Sequence, residues 1–501
     1  MNRKKALSYN MIATMASELV TLITGLIMPR IILLYFGSST NGLVSSISQF
    51  LGFSVILRAG LGGAVRVALY KPLAEKNIDN ISSVMTATNN YMKKIAAITG
   101  ALVVAFAFLY PLLVSNEYDY LYACVLALVV GFGTIADSFW GIKCKILLQA
   151  DQKYYITIIA ATISHIAVTV VSIAVIIAGC SITQMKIVSV FVALVNPLLL
   201  NLYVKKNYNI NWKAKPDNSA IKQRWDSFFH QLAVIVNQNV DLVLLTAMVS
   251  LKEVSVYTIH YLVVSNIGKI VNSCTTGINS TFGDLAARNE KQKLYSSFAF
   301  LEWLVFSIGT ILYATTAVML SPFINLYTAS VSDVNYVRPV FGVVMVLAVF
   351  VNTIKTPYQL LCAGLGRFKE TRNGAAMEVL INIVLSILFV KLLGIVGVLL
   401  GTFASAIFKM IYDARYATKY IFKIKSVHFI KHFLILGGTF ALCIFVGKIV
   451  SVFECITYFE WVANATFVTI ASCGIVFLVS ALFYRRETLM LLNNIKRKFT
   501  K

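Results

Sequence analysis

Apolar residues in this chain come in long blocks. They show neither the alternation of strands nor the narrow stripe of a surface helix. A helix that crosses a bilayer needs roughly 20 mostly apolar residues. About fourteen blocks meet that length, at 9–36, 42–70, 92–114, 120–142, 154–178, 187–204, 228–250, 254–282, 297–320, 337–364, 375–394, 395–412, 432–450 and 460–484. Between the eleventh and twelfth, only Gly394 and Gly397 interrupt the run. The expected fold is an all-α polytopic membrane protein with about 14 transmembrane helices. The first block is too long for the core of a cleaved signal peptide and reads as a first span.

The polar positions between blocks sort by charge. One set holds Arg3, Lys4 and Lys5; Lys71, Lys76, Lys93 and Lys94; Lys143, Lys145 and Lys153; Lys205, Lys206, Lys213, Lys215, Lys222 and Arg224; Arg367, Lys369 and Arg372; Lys409 to Lys431; and Arg485 to Lys501. The alternate set (Phe36 to Asn41, Ser115 to Tyr120, Gly179 to Lys186, Leu251 to Glu253) is short and nearly free of Lys and Arg. About 34 of the 44 Lys and Arg fall in the first set, which the positive-inside rule places in the cytoplasm. Both termini are therefore expected there, with an even number of spans.

Composition agrees: 58% of residues are hydrophobic, 13% are charged, and the mean hydropathy is +0.78. The formal net charge of +23 is divided among juxtamembrane loops, which excludes nucleic acid as a partner. The cysteines at 124, 144, 180, 274, 362, 443, 455 and 473 form no C-x-x-C pair and read as small core residues. The histidines at 165, 230, 260, 428 and 432 lack metal-ligand spacing, and no Walker A loop is present. No metal or cofactor is expected. The external loops are too short for a catalytic domain, so the chain reads as a non-enzyme.

The blocks repeat. Gly42-Leu43-Val44-Ser45 running to Lys71-Pro72-Leu73-Ala74-Glu75-Lys76-Asn77 matches Val254-Ser255-Val256-Tyr257 running to Gly283-Asp284-Leu285-Ala286-Ala287-Arg288-Asn289, at an offset of 212. Ile142-Lys143 pairs with Ile354-Lys355 at the same offset. The organisation read from this is a six-helix half over 1–204, a solvated linker over 205–226, a second six-helix half over 227–412 and a cytoplasmic loop over 413–431. Two further helices over 432–484 and a basic tail over 485–501 follow.

Charges inside the blocks are the functional candidates, because each costs roughly 2.5–3.5 kcal/mol at the bilayer centre. Arg58 and Lys269 lie one place from equivalence in the two halves, and Arg30 follows Pro29 in the first block. All three read as substrate-binding cations of a central cavity. Arginine's planar fork and lysine's point charge both suit phosphate oxygens. Arg66, Lys143 and Lys355 read as gate or interfacial cations. Asp241, Glu18, Glu302 and Glu378, with Asp137 beside them, read either as ion-coupling groups or as charge partners. Asp241 maps to position 29, beside Arg30. No residue reads as catalytic.

Pro29-Arg30-Ile31-Ile32 through Phe36-Gly37-Ser38-Ser39-Thr40-Asn41-Gly42-Leu43, with fourteen spans and a six-plus-six duplication, resembles the polysaccharide-repeat flippases of the multidrug/oligosaccharidyl-lipid/polysaccharide (MOP) exporter superfamily. The resemblance covers essentially the whole chain. It implies two six-helix repeats in a V-shaped arrangement plus two C-terminal helices, in a bacterial cytoplasmic (inner) membrane. It further implies translocation of undecaprenyl-diphosphate-linked oligosaccharide by alternating access for cell-surface polysaccharide. Membrane lipids, and a polymerase and glycosyltransferases of the same pathway, are the implied partners. In related lipid II flippases basic residues on spans 1, 2 and 8 face the cavity, and Arg30, Arg58 and Lys269 occupy those spans here. The alternatives are an ion-coupled multidrug exporter and a membrane glycosyltransferase or polymerase.

Overall fold

The computed structural model describes residues 3–58, 61–217, 225–275, 278–424 and 427–491. Lys222, Arg224, the tail beyond residue 491 and the side chains of Arg3, Lys4, Lys5, His230 and His428 lie outside the description. Every regular element among the described residues is helical. The chain divides into two compact units, Met1–Ser255 and Val256–Lys501.

The first unit contains α1 (Arg3–Gly52), a 3-10 segment (Phe53–Arg58), α2 (Leu61–Ala74), α3 (Ile78–Val114) and α4 (Tyr120–Ala136). A π segment (Asp137–Gly141), α5 (Ile142–Ala150), α6 (Tyr154–Ile177), α7 (Ile182–Ala193), α8 (Val195–Asn207) and α9 (Trp225–Met248) follow. The next helix, α10 (Leu251–Ser273), carries the chain into the second unit. That unit continues with α11 (Ile278–Ala287), α12 (Lys291–Tyr327), α13 (Pro339–Ile354), α14 (Thr356–Gly364) and α15 (Phe368–Leu393). It ends with α16 (Ile395–Tyr416), a second π segment (Ala417–Phe422), α17 (Val427–Val450) and α18 (Tyr458–Phe483).

Among the described residues, twelve helical stretches are long and apolar enough to cross a bilayer. The first of them, Ile12–Arg58, has 47 residues, about twice a crossing. Gly37 divides it, at φ 80° and ψ 177°, a backbone region open to glycine and closed to other residues. Val234–Met248 is a shorter apolar helix. Dividing the first stretch and including this helix recovers about fourteen spans. The expected seam at Gly394 is also present: its φ is +56°, and it ends α15 and starts α16.

Five spans that read as continuous are broken among the described residues, and of these the sixth span breaks at Leu194, between α7 and α8. In the second span the 3-10 segment ends at Arg58 before α2 begins at Leu61, in a run holding Gly60, Gly62 and Gly63. In the eighth, α10 ends at Ser273 and α11 begins at Ile278. The fourth is interrupted by the π segment at Asp137–Gly141, and the tenth at Lys355, one residue before Thr356 and Pro357. Proline at the start of a helix lacks the N–H that an unbroken helix would use there. The breaks in the second, fourth, eighth and tenth spans therefore fall in corresponding spans of the two sequence repeats, while the twelfth span, the counterpart of the sixth, is continuous.

Helices also extend beyond their apolar blocks. Lys143 and Lys145, read as loop residues, sit in α5, whose Cys144, Ile146, Leu147 and Leu148 are buried. Lys409, also assigned to a loop, is only 2% exposed in α16. The linker is not a freely solvated segment throughout. The Asn211 N–H donates to Ser82 Oγ at 3.0 Å and Ser83 Oγ–H donates to the Lys215 carbonyl at 2.5 Å, strapping residues 208–217 onto α3.

Among the described residues, the first unit has two apolar core clusters. One joins Leu43, Ile47 and Leu51 of α1 to Val103, Ala107 and Tyr110 of α3, Leu126 and Ala127 of α4, and Met185 of α7. The other joins Leu61, Val65 and Leu69 of α2 to Met85, Leu147, Leu148 and Leu200. The 3-10 segment at 53–58 and the π segment at 137–141 lie between them along the chain, so the interruption of the second and fourth spans separates two packed layers. Gly42 allows α1 to meet the start of α10: a Cβ there would lie 1.8 Å from the Leu251 carbonyl oxygen. In the second unit α17 and α18 pack on α12. Trp303 Nε1–H donates to Ser480 Oγ at 3.0 Å, and Trp461 Nε1–H to the Met319 carbonyl at 2.9 Å.

Candidate functional site

At the break between the layers of the first unit, Arg58 ends the 3-10 segment and Asp137 opens the π segment. Arg58 Nη1 lies 3.5 Å from Asp137 Oδ2 and 3.5 Å from Ser138 Oγ. Lys145 Nζ donates to Asp137 Oδ1 at 2.6 Å. Gly141 leaves room for this carboxylate, since a Cβ there would meet Asp137 Oδ1 at 2.5 Å. One acid thus serves two cations, so the formal charge of the cluster is +1. Asp137 acts as charge partner to Arg58. Lys145 was not singled out in the sequence, although its eight-residue spacing from Asp137 places it about two helical turns away.

The second unit has its own cation near a break. Lys269 is exposed on α10, a little over one turn before that helix ends at Ser273. Its neighbour Gly268 faces the Tyr313 hydroxyl and Thr353 Oγ1, which are hydrogen-bonded to each other at 2.7 Å. Lys269 donates to Asn266 Oδ1 at 3.0 Å. That partner is neutral, and no carboxylate lies within 4.0 Å among the described residues, so the lysine charge stays uncompensated.

The other candidates divide by environment. Arg30 is half-buried on α1 just after Pro29. Asp241 is buried in α9, which packs on α1. Glu18, expected among the buried acids, is exposed on α1. Arg66 donates to Gln149 Oε1 at 2.6 Å, and Lys143 to Asn89 Oδ1 at 2.8 Å. Lys355 and Glu378 form a closed ion pair with side chains 8% and 7% exposed. Beside them, Lys409 Nζ reaches both oxygens of Asp413 at 2.5 and 2.6 Å. These two pairs form a neutral four-charge group, close enough for the Lys355 and Glu378 charges to act on Asp413. Glu302 accepts from the Tyr358 hydroxyl and lies 3.7 Å from His432 Nδ1.

Of the residues that sequence reasoning passed over, Asp413 was detectable as the i+4 partner of Lys409. Tyr358 and His432 carry no local signal, because their partner Glu302 lies 56 and 130 positions away.

The sequence matches no protein-family model and no curated protein sequence. Solved structures do match. A lipid II flippase, MurJ, in an inward closed conformation is similar with a TM-score of 0.72 at 16% identity, over 96% of this chain and 99% of that one. An inward-facing multidrug resistance MATE family transporter of the MOP superfamily gives 0.63 at 13% identity, over 83% of this chain and 98% of that one. An outward-facing structure of such a transporter gives 0.62 at 15% identity, over 84% and 97%. The multidrug structures are thus nearly used up while about a sixth of this chain remains unmatched. The chain shares the all-helical fold of these structures.

Proposed function

We propose that this protein is a flippase that moves an undecaprenyl-diphosphate-linked oligosaccharide across a bacterial cytoplasmic membrane, for assembly of cell-surface polysaccharide. The observation that carries this reading is the end-to-end match to a lipid II flippase, where the multidrug transporters leave unmatched a length sufficient for two spans. The charge pattern supports it. Each unit carries a net positive group beside the break in its second or eighth span: Arg58 with Asp137 and Lys145, and Lys269 with Asn266. In transporters built from repeats, broken helices near the midplane supply substrate sites.

In this mechanism Arg30, Arg58 and Lys269 bind the diphosphate in a water-filled path, and the prenyl chain stays in lipid. Alternating access carries the sugar head across, driven by the membrane potential or an ion gradient. One charge crossing 100 mV is worth about 2.3 kcal/mol. The basic loops and both termini face the cytoplasm. Glu302, hydrogen-bonded to Tyr358 and near His432, is better suited to proton coupling than Glu378, whose charge Lys355 already compensates.

The test is deletion of the gene in its source cell. The account expects lipid-linked oligosaccharide to accumulate with its sugar shielded from an impermeant reagent applied outside. Unchanged outward exposure, with new sensitivity to cationic drugs, would instead support the multidrug exporter.

A further inference from the structure

The first unit holds a second basic site, away from Arg58. A cavity of about 670 Å³ lies among α3, the π segment, α5, α8 and the strap at 208–212. Lys93, Lys143 and Lys205 line it together with Trp140, Tyr208 and Trp212, and no carboxylate among the described residues does. Lys143 is fixed by Asn89 at 2.8 Å and lies over the Trp212 ring at 5.2 Å. Lys93 and Lys205 are exposed and, among the described residues, lack a carboxylate within 4.0 Å. Three like charges around one uncompensated cavity attract an anion.

The cavity is also built to last. Tyr208 O–H donates to Asp151, whose other neighbour Lys153 lies 2.7 Å away, and Asn201 Nδ2–H donates to the Trp140 carbonyl at 3.0 Å. On one side the wall is apolar: Leu198 and Leu202 of α8 are 54% and 64% exposed, within a span that lipid would surround. A ligand with a phosphate among the lysines and a hydrocarbon tail along α8 satisfies both surfaces. Basic pockets between transmembrane helices bind lipid head groups in this way.

We propose that this cavity binds the phosphate head group of a membrane-anchored lipid, at a site distinct from that of Arg58. Bilayer phospholipid and a polyprenyl phosphate share this chemistry. The full-length protein in neutral detergent is titrated separately with phosphatidylglycerol, phosphatidylcholine and undecaprenyl phosphate, and bound lipid is counted by native mass spectrometry. Sodium pyrophosphate is added as a competitor. The variants are K93Q/K205Q and its neighbour control K94Q/K206Q, which removes the same charge from residues outside the cavity.

The expected result is about tenfold weaker retention of the anionic lipids in K93Q/K205Q, with K94Q/K206Q and phosphatidylcholine retention unchanged. Preference for phosphatidylglycerol over undecaprenyl phosphate assigns the site to bilayer lipid, and the reverse assigns it to a prenyl carrier. Equal retention of phosphatidylglycerol and phosphatidylcholine by wild type, or equal loss in both double variants, overturns the proposal. Full displacement by pyrophosphate at concentrations equal to the lipid removes the need for a tail and overturns its lipid part. None of these outcomes depends on whether the protein flips oligosaccharide.

Discussion

Glu378→Gln should destabilise the second unit strongly, and the loss should be recoverable by removing its partner. Glu378 and Lys355 form an ion pair whose side chains are 7% and 8% exposed. Neutralising the glutamate leaves the lysine charge buried and uncompensated. Breaking one side of such a pair costs about 3–5 kcal/mol. At about 2–4 °C per kcal/mol for a unit of this size, the unfolding temperature should fall by roughly 6–20 °C. Replacing both groups with apolar residues of similar volume, K355M/E378L, should bring stability back to within about 1–2 kcal/mol of wild type, because no stranded charge remains. Differential scanning fluorimetry of purified protein, with the double-mutant cycle completed by Lys355→Met, measures both quantities. A Glu378→Gln protein that melts within about 2 °C of wild type would refute the cost assigned to the stranded lysine. It would return Glu378 to the set of coupling candidates.

Other expectations are equally direct. Asp137→Asn should leave Arg58 and Lys145 without their shared carboxylate, costing about 1–2 kcal/mol in stability at these partly exposed positions, as read by thermal unfolding. Gly42→Val should force α1 away from the Leu251 carbonyl and lower stability by about 1–3 kcal/mol or more, measured by the monodisperse fraction after heating. The Tyr208 phenol lies above its ordinary value of 10.0, raised first by burial and next by Asp151. Its stabilising effect is present below about pH 10 and is lost as pH rises through the higher folded value. Tyr208→Phe should therefore flatten the alkaline limb of a stability–pH curve, and an unchanged limb would contradict that origin.

The spans were legible because apolar blocks of bilayer length leave little choice of structure. Gly394 was legible too, as the residue that permits a reversal within an otherwise continuous apolar run. The interruptions were harder to see. The π segment at Asp137–Gly141 has no internal proline, and the Arg58 that Asp137 meets lies 79 positions away. Lys409 looked like a loop cation because charge alone set its place, whereas its i+4 partner Asp413 allows it to be buried. Arg58 was picked out as a buried charge, but its local neutralisation depends on a residue 79 positions away. Hydropathy records no such partner. The basic cavity was hidden for the same reason: Lys143, Lys205 and Trp212 come from three elements, and only the docking of 208–217 on α3 gathers them.

The most direct measurement is flipping in proteoliposomes. Undecaprenyl-diphosphate oligosaccharide is placed in the bilayer, and an impermeant reagent reports sugar at one face over time, for wild type and for R58A/K269A under an imposed potential. The account predicts protein-dependent exposure in wild type and its loss in the double variant, with both proteins equally folded. Exposure unchanged in the variant would contradict the assigned diphosphate site, and no exposure by folded wild type would contradict the flippase itself.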